Sequence, residues 1–296
     1  MTEFHEPALL KEALTYLNVR RNKKYIDATV GGAGHAIEIV KQGGVLLGLD
    51  VDPDAVEAAR RKLDLPEADK SASGGWKITR GNFKNIEKIA RENNFYPVAG
   101  ILYDLGLSSN QLEHSGQGFS FQKNEPLDMR ADPELKVTAA DLVNGLSEKE
   151  LTKLFEKYGE EKYARAVAGA IIRSRWDKPI RNSMELADIV EQVVREPRKM
   201  HPATKVFQAL RIAVNDELNN LQSSLPQAFG LLEPKGRLVV ISFHSLEDRI
   251  VKNFFKEMEA EGGKILTKKP VVPTIEEVKE NPRARSAKLR ATEKIG

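Results

Sequence analysis

Tyr25-Ile26-Asp27-Ala28-Thr29-Val30-Gly31-Gly32-Ala33-Gly34-His35 decides the fold of this chain. A short apolar run ends in an acid, and a glycine cluster follows at once. A helical pattern carried by Ala36, Ile37, Ile39 and Val40 comes next, and a second apolar run, Val45–Leu49, ends in Asp50. Strand, glycine turn, helix, strand, acid is the order of a nucleoside-binding βαβ unit. Glycines let the backbone turn sharply and approach a ligand with no Cβ in the way, and an acid at the next strand tip can accept from ribose hydroxyls.

Working outward, apolar runs predict five strands: Tyr25–Ala28, Val45–Leu49, Trp76–Thr79, Gly100–Tyr103 and Arg237–Phe243. Helical or loop segments space the first four, the pattern of a parallel sheet with helices on its faces. Asp52-Pro53 opens a helix with an acid cap and a proline in the first turn. Residues 71–75 read as a flexible loop, and Gly106–Asp132 as a long ordered one of the kind that carries function. From about Thr138 to Met200 the pattern is helical, with a capping box at Ser147 and Glu150 and no strand signal. Val206, Phe207, Leu210, Ala213, Val214, Leu218 and Leu221 predict one long helix leading back to the sheet at Arg237. The fold class is therefore α/β, a Rossmann-like sheet with an inserted all-helical subdomain. Residues 1–111 and 202–296 form the sheet domain and 112–201 the insertion.

Hydrophobic content of 41% with 30% charge fits a globular chain. The longest apolar runs are too short to span a membrane, and Met1–Glu6 has no secretory core segment. With no cysteine, disulfides, thiolate zinc sites and thiol nucleophiles are excluded; a cytoplasmic location is the expectation. No metal site is read. The basic excess is concentrated at the end, where Arg283, Arg285, Lys288, Arg290 and Lys294 oppose only Glu293. Two readings of this tail stand open, a phosphate-contacting arm and a frayed terminus.

The cofactor follows from what the turn lacks. Gly32-Ala33-Gly34 supplies two glycines of the dinucleotide fingerprint, but its third position is Ile37. An acid before the glycines suits S-adenosylmethionine (SAM) instead. SAM has no pyrophosphate for a helix end to hold, and it carries a cationic sulfonium and ammonium that carboxylates can face. Asp50, Asn82 with Phe83, and Asp104 fall at later strand ends, where ligands of open α/β sheets sit.

Other stretches carry a resemblance that runs nearly end to end. They are His5–Glu12, Asp27–His35, Gly48–Pro53, Asp104–Leu112, Gly118–Phe121, Pro126–Arg130, Tyr158–Glu161, His201–Thr204 leading into Phe207–Ile212, Ser242–Arg249 and Glu280–Ser286. In these the chain resembles the MraW/RsmH family of small-subunit (16S) ribosomal RNA cytosine-N4 methyltransferases. The resemblance implies methyl transfer from SAM to the exocyclic N4 of a decoding-centre cytidine, with ribosomal RNA or the assembled small subunit as partner. It places SAM contacts on Ala33, Gly34, His35, Asp50, Phe83, Asp104 and Gln111. Ala33 stands where the family commonly has glycine, Asn110 where it has proline and Gln117 where it has arginine.

Asp104 is the candidate catalytic residue, by accepting from N4; orienting SAM is its competing role. Arg130, Arg211, His244, Arg283 and Arg285 are candidate RNA contacts, against ion pairing for the arginines and a structural role for His244. Phe119 and Phe121 either stack on a base or fill the core of their loop. Two other functions stay open at this level, a SAM-binding ribosome-assembly factor without turnover and an amino-methyltransferase acting on DNA. Monomer and homodimer are equally open.

Overall fold

All five apolar runs form strands: β1 Lys24–Asp27, β2 Val45–Asp50, β3 Trp76–Arg80, β4 Val98–Asp104 and β5 Leu232–Ser242. The computed structural model describes residues 7–64, 75–107, 111, 115–195 and 200–296. It adds β6 Gly263–Ile265 and β7 Lys288–Lys294. The sheet order is β3-β2-β1-β4-β5-β7-β6; β1 to β5 pair in parallel, and β7 runs antiparallel to both of its neighbours. Strand order reverses between β1 and β4, which creates a crevice at their carboxyl ends.

Side chains alternate across the sheet. Tyr25, Leu46, Leu102 and Val239 face one way, under helices α1 Leu10–Leu17, α2 Gly34–Lys41 and α3 Pro53–Leu63. Ile26, Leu47, Ile101, Tyr103 and Val240 face the other, where Ile86 and Ala90 of helix α4 Ile86–Glu92 join Leu221, Leu225, Phe254 and Phe255. Burial on both faces explains why these strands read as near-continuous apolar runs. At α3 the predicted start is observed: Asp52 Oδ1 accepts from the Asp54 N–H at 2.9 Å, with Pro53 in the first turn.

Contacts divide the chain into two units, residues 1–106 with 218–296, and residues 107–217. The second contains helices α5 Ala139–Gly145, α6 Glu148–Gly159, α7 Ala164–Asp177, α8 Ser183–Val193 and α9 Thr204–Asn215. Its core holds Phe155, Ile171, Leu186, Val206 and Leu210. Ser147 and Glu150 form the expected capping box, and Thr138 with Asp141 forms a second.

Three expectations change. The long helix predicted from Val206 to Leu221 is two helices, α9 and α10 Glu217–Leu231, separated by Asp216 in a left-handed conformation (φ 52°). The apolar periodicity runs through this break because both helices bury a face. As a result α9 packs with the helical unit, whereas the sequence placed 202–296 with the sheet.

The basic tail is neither an arm nor frayed. Residues 288–294 are strand β7, paired with β5 over Arg237↔Glu293 to Ser242↔Lys288. Arg290 is buried and paired with Asp248 (2.6 Å), and Lys294 Nζ donates to the Leu232 carbonyl (2.9 Å). Alternating charges on an inner strand hid it from an apolar-run search.

Phe119 is buried in the core of the helical unit. Phe121 stacks on His201 (4.2 Å between ring centroids) and meets Phe207 edge-on (5.4 Å). Both rings are engaged in packing. The flexible-loop expectation for residues 71–74 and the Asn110 departure lie outside the described residues.

Candidate cofactor site

The glycine turn is tied to the strand ends by hydrogen bonds that its sequence makes possible. Asp27, 1% exposed, closes β1 and accepts from the Thr29 N–H (3.1 Å). Thr29 Oγ1 accepts from the Asp104 N–H (2.7 Å), joining the ends of β1 and β4. Gly31 has φ 43° and donates its N–H to Asp50 Oδ2 (2.9 Å); the Asp52 N–H donates to Asp50 Oδ1 (3.0 Å). Backbone N–H groups thus fix the orientation of the Asp50 carboxyl at the strand tip. Gly34 begins α2, and a Cβ on it would stand 2.7 Å from Pro7 Cγ. Glycine here is a packing requirement of the turn against the N-terminal segment. Ala33, fully buried, sits at φ 64°. That left-handed backbone is a physical reason for the glycine that the family commonly has there.

Three acids converge on these strand ends. Burial pushes the Asp27 carboxyl up to about 7, partly offset by the Thr29 N–H. Burial likewise pushes Asp50 up to about 6 against the Asp52 and Gly31 N–H groups. Burial, then the charges of Asp27 and Glu247, hold Asp104 well above the usual carboxylate range. Among the described residues no lysine or arginine pairs with any of the three. The neighbour of Asp104 is His35, with Nδ1 3.5 Å from Asp104 Oδ2. Burial lowers His35 to about 4, so it is neutral near pH 7 and supplies no positive charge. Asp104 Oδ1 and His35 Nε2 are buried and make no hydrogen bond among the described residues.

A cluster of unbalanced acids with an orphan acceptor fits a cation that also carries hydroxyls and amine hydrogens. SAM has this composition. Asp50 suits the ribose diol, and Asp27 and Asp104 suit the positive charges. A dinucleotide would bring a pyrophosphate to three carboxylates, which electrostatics opposes.

Sheet order, switch-point acids and glycine turn define the class: a Rossmann-like, SAM-dependent methyltransferase. The chain belongs to the MraW methylase family, whose model matches residues 2–295. Two relatives are each called ribosomal RNA small subunit methyltransferase H. That of Carboxydothermus hydrogenoformans is 45% identical, with 98% of each chain covered. That of Geobacter sulfurreducens is 46% identical, with 100% of each covered.

Of the seven residues expected to contact SAM, six lie in the sheet unit. Ala33, Gly34 and His35 form the turn, and Asp50 and Asp104 end their strands. Phe83 follows β3 in a short 3-10 turn and packs edge-on against Tyr103 (5.5 Å). Gln111 belongs to the helical unit, where it is buried. Asn82 caps the 3-10 turn through Oδ1 to the Lys84 N–H (2.9 Å).

The candidate RNA residues differ in how fully they are engaged. Arg130 binds Asp128 through two nitrogens (2.7 and 2.8 Å) and donates to the Leu135 carbonyl (2.7 Å). Arg211 makes a two-point pair with Glu217 (2.8 and 3.0 Å). His244 caps helix α11 Ser245–Ala260, with Nδ1 accepting from the Glu247 N–H (3.4 Å) and Nε2 3.2 Å from Glu247 Oε1. Arg283 and Arg285 lie on the 3-10 turn Pro282–Ser286, with Arg285 exposed.

Sequence reasoning left Asp27 and Glu247 out of the site. Asp27 was visible as the acid before the glycines. Glu247 carried one signal, its spacing of three from His244 at a helix start.

Proposed function

We propose that this methyltransferase acts on small-subunit (16S) ribosomal RNA, transferring the SAM methyl group to the exocyclic N4 of a decoding-centre cytidine. The names of its full-length relatives support the RNA. The observation that carries the chemistry is Asp104, a half-buried carboxyl whose Oδ1 is buried and unsatisfied, beside a neutral His35. The lone pair of N4 is delocalised into the ring, so the amine needs an acceptor for its hydrogen as the nitrogen becomes tetrahedral. On this proposal Asp104 Oδ1 accepts that hydrogen bond, or orients the cofactor's ammonium group. Bound SAM supplies the electrophilic methyl group; the chain supplies alignment, which accounts for much of the acceleration in such transfers.

In this reading Ala33, Gly34, His35, Asp50, Phe83, Asp104 and Gln111 hold SAM, and the target base leaves its stack to bring its N4 to the methyl group. The unit 107–217 recognises substrate. Exposed Arg285, with Arg283 on the same 3-10 turn, is read as a phosphate contact, while Arg130 and Arg211 pair with carboxylates. The test is methyl transfer to small subunits lacking the modification, read by nucleoside mass spectrometry. N4-methylcytidine is the expected product. Its absence beside an active control enzyme overturns the proposal, and methylated DNA cytosine in a parallel arm reassigns the substrate.

A further inference from the structure

Helix α7 of the helical unit carries the most exposed large apolar side chain among the described residues, Trp176, at 84%. A tryptophan so exposed on a helix whose opposite face packs Val167, Ala168 and Ile171 into the core gains nothing for the fold. Its neighbours on the helix surface are informative. Positions 165, 169, 173 and 176 fall on one face. Arg165 and Arg173 are exposed, and neither has an ion pair or hydrogen bond among the described residues. Between them is Gly169, and a Cβ there would lie 3.3 Å from an Arg173 terminal nitrogen. The guanidinium therefore lies along the helix surface between Arg165 and Trp176. At the Arg165 end the surface dips into a hollow of about 440 Å³ lined by Glu148, Lys162, Tyr163, Arg165 and Ala166. Glu148 is the one acid on that wall, against two cations.

A flat aromatic face, two uncommitted guanidiniums and a basic hollow with a tyrosine lie along roughly 16 Å of helix. Proteins that hold single strands combine a cationic track with aromatic stacking faces in this way. Arg173 and Arg165 match the spaced negative charges of a nucleic-acid backbone, and Trp176 matches an unstacked base. We propose that this face of α7 is a single-stranded RNA track, in which Trp176 stacks on a base, Arg173 and Arg165 hold successive phosphates, and the strand ends in the Lys162–Tyr163 hollow. The inference rests on RNA being the substrate and adds where one segment of it is held.

Trp176 supplies its own probe. Titrating the full chain with a short cytidine-rich oligoribonucleotide, and with protein-free small-subunit RNA, should quench tryptophan fluorescence saturably. Trp176→Phe removes that component. Trp176→Ala should weaken RNA binding about tenfold, seen as a raised KM for subunits with SAM affinity unchanged by calorimetry. Arg165→Ala with Arg173→Ala should reduce the salt slope of RNA binding by about 1.4, at ~0.7 per phosphate on a single strand.

Equal quenching in Trp176→Phe overturns the track, and so does an unchanged salt slope. Quenching by intact subunits but not by protein-free RNA overturns it too, assigning Trp176 to a protein partner. Wild-type methyl transfer to subunits, measured in parallel, tests the parent proposal separately: transfer without quenching defeats the track alone.

Discussion

The two halves of the sheet bury charge in opposite ways. On the β5-β7-β6 side the strand charges are paired: buried Arg290 binds Asp248 at 2.6 Å and half-buried Arg237 binds Glu293 at 2.9 Å. Lys294 is spent on backbone carbonyls. On the β1-β2-β4 side Asp27, Asp50 and Asp104 end adjacent strands, and burial raises their carboxyl pKa values with no lysine or arginine among the described residues to answer them. Burying an unpaired charge is costly. The paired half is therefore built for folding, and the unpaired half holds an electrostatic debt that a cationic ligand can cancel. The same residue types read as structure in one half and as a site in the other.

The sharpest way to break this contrast is to unpair the paired half. Arg290→Met leaves half-buried Asp248 without its guanidinium, and removals from fully buried pairs cost ~3–5 kcal/mol. Lys288 Nζ, 3.9 Å from Asp248 Oδ2, answers part of the charge, so the expected loss is about 3 kcal/mol in urea denaturation. SAM affinity of the folded protein should not change. A loss below about 1 kcal/mol would mean that β7 does not depend on this pair.

The converse experiment empties a site acid. Asp50→Asn and Asp104→Asn each remove a charged acceptor, and charge-assisted hydrogen bonds are worth ~1.5–3 kcal/mol. SAM affinity should fall about 10- to 100-fold by calorimetry, while the melting temperature of the ligand-free protein holds or rises. Loss of melting temperature together with affinity would make these acids structural and erase the difference between the halves.

The contrast also explains what could be foreseen. Strands β1, β2 and β4 are buried on both faces, so they appear as apolar runs, and their terminal acids stand out at a hydrophobic-to-polar edge. Strand β7 interleaves Lys288, Arg290, Glu293 and Lys294 with apolar positions, and its charges are neutralised by Asp248, by Arg237 and by backbone far away in sequence. Nothing local distinguishes it from a basic tail. The break at Asp216 was hidden for a related reason: a single left-handed residue interrupts a helix without interrupting its apolar period. The competing roles of Arg130 and Arg211 turn on Asp128 and Glu217, acids two and six residues away, yet only geometry shows both oxygens engaged.

Proton linkage offers a subtler test. A carboxyl whose folded pKa lies above its unfolded value binds more protons in the folded state between the two. Stability therefore falls as pH rises through that window and is flat above it. For Asp27 the window runs from about 4 to about 7, and for Asp50 from about 4 to about 6. The ligand-free protein should lose stability over this range, and Asp27→Asn should remove part of the slope. A cation bound beside these groups favours their ionised forms, so SAM binding at pH 6 should release on the order of half a proton. Calorimetry in two buffers of different ionisation enthalpy measures it, and proton uptake would mean that the acids do not face the cation.

The smallest effect is expected at Ala33, where the turn carries its one departure from the glycine common in the family. A non-glycine residue at φ 64° costs ~1 kcal/mol or slightly more in backbone strain. Against this, the Ala33 methyl is fully buried among the residues under α2, and one buried carbon contributes ~0.8 kcal/mol. The two terms nearly cancel, so Ala33→Gly should move stability by less than about 0.5 kcal/mol. It changes no charge and leaves the Gly31 N–H bond to Asp50 in place, so SAM affinity should be equal or slightly better. A marked loss of affinity would show that the Ala33 methyl itself shapes the cofactor's seat, and that the unpaired half of the sheet binds through packing as well as through charge.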